Sequence, residues 1–176
     1  MIDKERLDLL LHWARNAKRA QFAHYRMANR YGRLYKINGV IVTIVAVVTG
    51  SSVIANFSKT FPNIETLITI VTGLLILLAG SLSGIQTFMK LEERSGLHRG
   101  AGASYSGLKR QLDQWIAIAK KEDINNSELD GMRTKFDELG VQSPQVSDSV
   151  WRKVLKDMPS LDFEHYQIDN HAETDN

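Results

Sequence analysis

The 176-residue sequence predicts an all-α membrane protein: a two-transmembrane helical hairpin with long cytoplasmic helical arms and short C-terminal helices, assembled as a homo-oligomer. Three observations predict it. Two apolar segments, 37–57 and 67–89, carry no charged residue, and a bilayer core needs about 20 apolar residues of helix. The flanks of both segments are long, almost free of proline and patterned at helical spacing. Basic residues crowd one side of the pair: Arg26, Arg30, Arg33 and Lys36 before the first segment, and Lys90, Arg94 and Arg99 after the second.

Composition narrows the function classes. The chain contains no cysteine, so it has no disulfide and no thiolate metal site. Its net charge of +2 is small but unevenly placed. The first 36 residues are too charged for a signal peptide. No glycine-rich phosphate loop with a GKS/T ending is present, and the histidines show no zinc-ligand spacing. The expectation is therefore a protein that is not an enzyme, with no cofactor, no metal and no catalytic residues. The basic arm lies beside a membrane span, which favours anionic headgroups over nucleic acid as its partner.

The chain divides by character. Residues 1–36 form an N-terminal cytoplasmic helix that continues into the first span, 37–57. A short extracytoplasmic loop, 58–66, contains Pro62. The second span, 67–89, continues as one helix through a cytoplasmic arm, 90–122, ending near Lys121. Residues 123–160 form short C-terminal helices, the first capped at Asn126 or Ser127 and stopped at Gly140, the second capped near Ser147 and ended before Pro159. Residues 161–176 form a mobile acidic tail. The positive-inside rule puts both termini in the cytoplasm of a bacterium, with the spans in its inner membrane.

The arms show complementary faces. Arg15, Arg19, Arg26, Arg30 and Arg33 share one side of the first arm, as a candidate ligand or lipid face. Leu10, Ala14, Ala17, Ala28 and Gly32 share another. On the second arm, "SGLHRGAGASYSG" places Gly96, Gly100, Ala103 and Gly107 on one narrow stripe. Small residues let helix backbones approach closely, so this stripe is expected to receive the alanines Ala14, Ala17 and Ala28 of the first arm. A bulkier stripe, Ala101, Leu108, Leu112, Trp115 and Ala119, is left for a second subunit or the C-terminal segment. Aligning the two spans at one membrane boundary sets Arg33 beside Glu92 or Glu93.

Inside the spans, Asn38, Thr49, Ser52 and Asn56 lie on one side of the first. Thr66, Gly73, Gly80 and Thr87 recur at heptad spacing in the second, with Gly84 beside them. Such a stripe packs against another helix or lines a pore. With no ionisable residue in either span there is no charged selectivity ring. One pair of helices cannot enclose a pore, so a channel requires a ring of copies; a tetramer is the working expectation.

The layout over residues 1–122 resembles the SLATT domains, bacterial two-transmembrane effector domains that associate with SMODS and SLOG proteins in nucleotide-signalling defence systems. The resemblance is sharpest in "HRGAGASYSGLKRQL", where His98, Tyr105, Leu108 and Arg110 match the family's pattern of His, small residues, Tyr, Leu and a basic residue. It implies a pore-forming or membrane-permeabilising effector of anti-phage defence, triggered by a nucleotide second messenger or a sensor protein. The alternative is a non-conducting membrane adaptor whose arms scaffold a cytoplasmic partner.

Overall fold

The computed structural model describes residues 4–50, 65–119 and 124–158. Among these, 93% are helical and none lies in a strand. The elements are α1 (Lys4–Gly50), α2 (Glu65–Met89), α3 (Leu91–Ala119), α4 (Asn126–Gln142) and α5 (Asp148–Asp157). The chain divides into two compact units, Met1–Arg26 with Arg99–Asn176, and Met27–His98.

The first unit is built on a single apolar core. Leu7, Leu10, Leu11, Ala14 and Ala17 of α1 pack with Tyr105, Leu108, Leu112, Ile116 and Ala119 of α3, and α4 closes the layer with Met132, Leu129, Phe136 and Leu139. The alanines expected to be buried are buried. The partner of Ala14 and Ala17 is the bulky stripe of α3, which was expected to serve a second subunit or the C-terminal segment; it serves α1 and α4 together. Arg6 fastens the entry to α4 by donating to the Ile124 carbonyl, and its Nη2 donates to Asn126 Oδ1 at 3.0 Å.

The short helices obey local rules with shifted ends. Asn125, one residue before the expected position, caps α4. Its side chain accepts from the Glu128 amide at 2.9 Å, and Glu128 Oε2 accepts from the Asn125 amide at 3.2 Å. Such a reciprocal cap is worth about 1 kcal/mol. Gly140 does not stop the helix; α4 runs to Gln142, with Ser143 as its C-cap. Pro144 supplies the reason, because the residue before proline is held away from helical geometry. α5 starts after Ser147 as expected and ends at Asp157, and its Val154 is fully buried.

The second unit holds the apolar lengths of α1 and α2. Along α2 the half-buried positions are Ile68, Thr72, Leu75, Ala79, Leu82 and Gln86; along α1 they are Asn38, Val42, Val45 and Thr49, with Gly39 beside the first. Alternating steps of four and three are the signature of two helices meeting along a narrow seam. All other residues of α2 are exposed and none is buried.

The continuous second helix expected from the sequence is corrected. It breaks at Lys90, whose φ of 47° is left-handed. Hydrogen bonding resumes at once, the Arg94 amide donating to the Lys90 carbonyl at 2.9 Å, and Glu92 and Glu93 sit in the first turn of α3, where the helix dipole favours negative charge. The consequence is a change of phase. Carrying the α2 seam onward by its own steps would place Met89, Glu93, Gly96, Gly100, Ala103 and Gly107 inside. The buried line runs instead through Leu91, Ser95, His98, Gly102, Tyr105, Leu112, Ile116 and Ala119, with Ala101 and Leu108 beside it. It keeps the same rhythm, displaced by two residues. Two residues are about 200° of helical turn, so Gly96, Gly100 and Ala103 face outward and Gly107 is only half-buried.

Glycine substitutions separate these faces. No atom stands within 4 Å of a Cβ added at Gly96 or Gly100, whereas one at Gly102 meets the Tyr25 ring at 3.1 Å. Gly100→Ala is expected to stabilise the folded chain by about 1 kcal/mol through helix propensity. Gly102→Val is expected to destabilise it by about 1–3 kcal/mol through overpacking. Thermal unfolding followed by circular dichroism reads both, and equal effects would refute the outward stripe. Lys90→Gly is expected to raise stability by about 1 kcal/mol, since a left-handed backbone costs a side-chain-bearing residue roughly that much; a lowered melting temperature would refute the strain at this position.

Candidate functional site

The residues that resemble the family pattern are chiefly packing residues. In the second unit, His98 is buried and stacks on Tyr31 with ring centroids 5.6 Å apart and planes 22° apart. One turn earlier, buried Ser95 donates to the Ala28 carbonyl at 2.9 Å. Gly32 leaves the room for it: a Cβ there would meet Ser95 Oγ at 3.1 Å. In the first unit, Tyr105 stacks on buried His24 at 5.5 Å and meets the Phe136 ring edge-on at 6.2 Å. Leu108 belongs to the core. Arg110 alone of the four points outward, donating to Ser106 Oγ at 3.3 Å. The alternation of histidine and tyrosine across the arms was not read from the sequence. Aromatic residues at helical spacing on both arms were the available signal.

The basic face divides. Arg26 pairs with Asp157 of α5 at 2.6 Å, and Arg19 donates to the Met158 carbonyl at 3.5 Å. Arg19 Nε and Arg26 Nη1 are buried there without a hydrogen-bond partner. The carbonyls at the end of α5 are the negative end of a helix, which suits these cations. Arg15 is half-buried, while Arg30 and Arg33 are exposed. The five arginines therefore do not form one open face: α5 engages Arg19 and Arg26. No ion pair joins Arg33 to Glu92 or Glu93 among the described residues: Glu93 pairs with Lys90 at 3.1 Å, and Glu92 stands beside the hydroxyl of Tyr35, two positions on from Arg33. The Glu92 carboxylate accepts the phenol's hydrogen bond and repels a phenolate, so it raises the Tyr35 pKa.

In the apolar helices, Asn38 and Thr49 lie on the seam, while Thr66, Gly73, Gly80, Gly84 and Thr87 are exposed. Ser52 and Asn56 lie outside the described residues. No atom stands within 4 Å of a Cβ added at Gly73, Gly80 or Gly84. The glycine stripe of α2 is thus uncovered, and Thr72, Leu75, Ala79 and Leu82 occupy the seam in its place. Thr49 donates to the Val45 carbonyl at 2.8 Å and Thr87 to that of Ser83 at 3.0 Å. Hydroxyls bonded back to their own helix need no water, so either lipid or a pore suits them. Among the described residues, no three His, Cys, Asp or Glu side chains are grouped to hold a metal ion.

Burial lowers the pKa of His98, with the nearby Arg94 charge acting in the same direction. The unfolded chain then takes up a proton on this histidine before the folded chain does. Stability is complete above the unfolded value of about 6.5 and declines as the pH falls from there toward the lower folded value. The slope of melting temperature between pH 7 and pH 5 is expected to flatten in His98→Phe, and an unchanged slope would refute the assignment.

No protein-family model, curated protein or solved structure matches this chain.

Proposed function

We propose that this chain is one subunit of a homo-oligomeric pore in the bacterial inner membrane, with both termini in the cytoplasm. On this reading it is a SLATT-like permeabilising effector of anti-phage defence, switched on by a nucleotide signal or a sensor protein acting at the arms. One observation carries the reading. Among the described residues, none of the apolar windows of α1 and α2 is buried, and nothing lies over the glycine face of α2. Hydrocarbon supplies a covering for the aliphatic side. Gly80 and Gly84 suit the close approach of a second copy, since adjacent small residues drive helix association in lipid.

The orientation rests on charge. Arg30, Arg33 and Lys36 precede the first apolar segment and Lys90, Arg94 and Arg99 follow the second, the pattern that keeps such flanks in the cytoplasm. A phosphate-bearing trigger would find Arg30 and Arg33 exposed and Arg19 and Arg26 already engaged by α5. The bulky stripe through Leu108 and Trp115 is used within the chain's own core and is less free to dock an adaptor's partner.

The test is ion flux from liposomes containing the purified chain. With a trigger present, wild type is expected to release entrapped potassium. Gly80→Leu, placed in open space so that the single chain is undisturbed, is expected to cut release at least tenfold by holding copies apart. Leu78→Phe on the aliphatic side is expected to leave it unchanged. Confirmed insertion without flux under every candidate trigger would overturn the pore.

A further inference from the structure

Within the second unit, an open groove of about 480 Å³ runs between the two apolar helices. Its walls are Tyr35, Lys36, Gly39, Val40 and Ile44 of α1, with Gln86 of α2 opposite. The size falls in the range of small-molecule sites, roughly 300–1,000 Å³. We propose that this groove is a binding site for an anionic phospholipid, one acyl chain lying between the helices and the headgroup phosphate meeting Lys36. The inference rests on the membrane reading of the spans and is independent of whether they conduct.

The polarity of the groove is ordered along its length. Lys36, Val40 and Ile44 follow one another at four-residue steps on one face of α1. At 1.5 Å per residue, the charge stands about 12 Å along the axis from Ile44. An amphiphile has the same arrangement, with an anion at one end and hydrocarbon below it. Gly39 lines the groove, and no atom lies within 4 Å of a Cβ placed there. Thr43, also on the wall, donates its hydroxyl to the Gly39 carbonyl at 2.8 Å and so asks nothing of an occupant. Gln86 brings an amide donor from the other helix, suited to a lipid ester carbonyl.

The mouth of the groove selects for negative charge. Lys36 is exposed and belongs to no ion pair among the described residues. Arg33, one turn before it, is also exposed. The Glu92 carboxylate is turned to the Tyr35 hydroxyl. A tyrosine and a lysine at the boundary of an apolar segment are the side chains that favour the headgroup level. A zwitterionic lipid would fill the apolar part equally well and gain less at Lys36, where one lysine–anion contact is worth about fivefold in affinity.

Native mass spectrometry of the full chain, loaded with equal phosphatidylglycerol and phosphatidylcholine and released from micelles, tests the site. Flotation with vesicles of both lipids is measured in parallel. Wild type is expected to float and to retain phosphatidylglycerol about fivefold over phosphatidylcholine. Lys36→Gln is expected to bring the two lipids to parity. Gly39→Trp, which fills the groove, is expected to abolish retention of both while flotation and helicity persist; Ile44→Trp repeats this test from the other end should Gly39→Trp fail to fold. Flotation with equal retention of the two lipids by wild type overturns the anionic site. So does retention unaffected by either tryptophan, or self-crosslinking of Gly39→Cys that shows a second copy in the groove. Failure to float overturns the membrane reading and this site with it. Lipid retention without ion flux supports the site and counts against the pore alone.

Discussion

The change of helical phase at Lys90 governs which residues of the second arm are inside. α2 keeps a seam of alternating four- and three-residue steps up to Gln86, and α3 keeps the same rhythm from Leu91 to Ala119. The two seams are out of register by two residues, and the left-handed backbone of Lys90 lies between them. An unbroken helix would turn glycines toward the first arm and leave Leu112 and Ile116 facing solvent. The break does the reverse. Burying Leu112 and Ile116 is worth about 1.5–3 kcal/mol each, which outweighs the roughly 1–2 kcal/mol of a single left-handed lysine.

With the phase set, the arms assemble from ordinary parts. Small residues on α1 accept large ones on α3: Ala14 and Ala17 lie in the core with Leu108, Leu112 and Ile116. Where α3 is small, α1 is large, and Gly102 receives the Tyr25 ring. The buried histidines and the buried serine are stacked or hydrogen-bonded, whereas Arg19 Nε and Arg26 Nη1 are buried without a partner. His24 and His98 each lie against a tyrosine, and Ser95 donates to the Ala28 carbonyl. Burial lowers the pKa of His98 and so favours its neutral form, which suits a histidine on an apolar face.

The apolar helices follow a different logic. They carry their hydrophobic residues on nearly every side and cover few of them. Phe88 is 90% exposed and Leu77 69% exposed, which water would penalise and hydrocarbon would not. In lipid, burial of apolar area no longer drives helices together, and close packing of small residues takes its place. The glycines Gly73, Gly80 and Gly84 therefore mean something different from Gly102. Nothing lies within 4 Å of a Cβ placed at the former, whereas the latter is packed against Tyr25 inside the chain.

Much of the architecture was legible in the sequence because it depends on local chemistry. The uncharged segments, the Ser147 start of α5 and the inward face of Ala14, Ala17 and Ala28 follow from composition, capping preference and periodicity. The face of the second arm was not legible. Periodicity shows which residues share a side of a helix, but not which side faces in once the phase has been reset at one residue. "SGLHRGAGASYSG" reads as a packing stripe in an unbroken helix and as an outer surface after the break. The division of the arginines between α5 and solvent was hidden for a related reason: Asp157 is 131 positions from Arg26, and no local pattern joins them. Sequence determined which segments are helical. Only tertiary structure decided their rotation, because rotation depends on the burial of residues far apart in the chain.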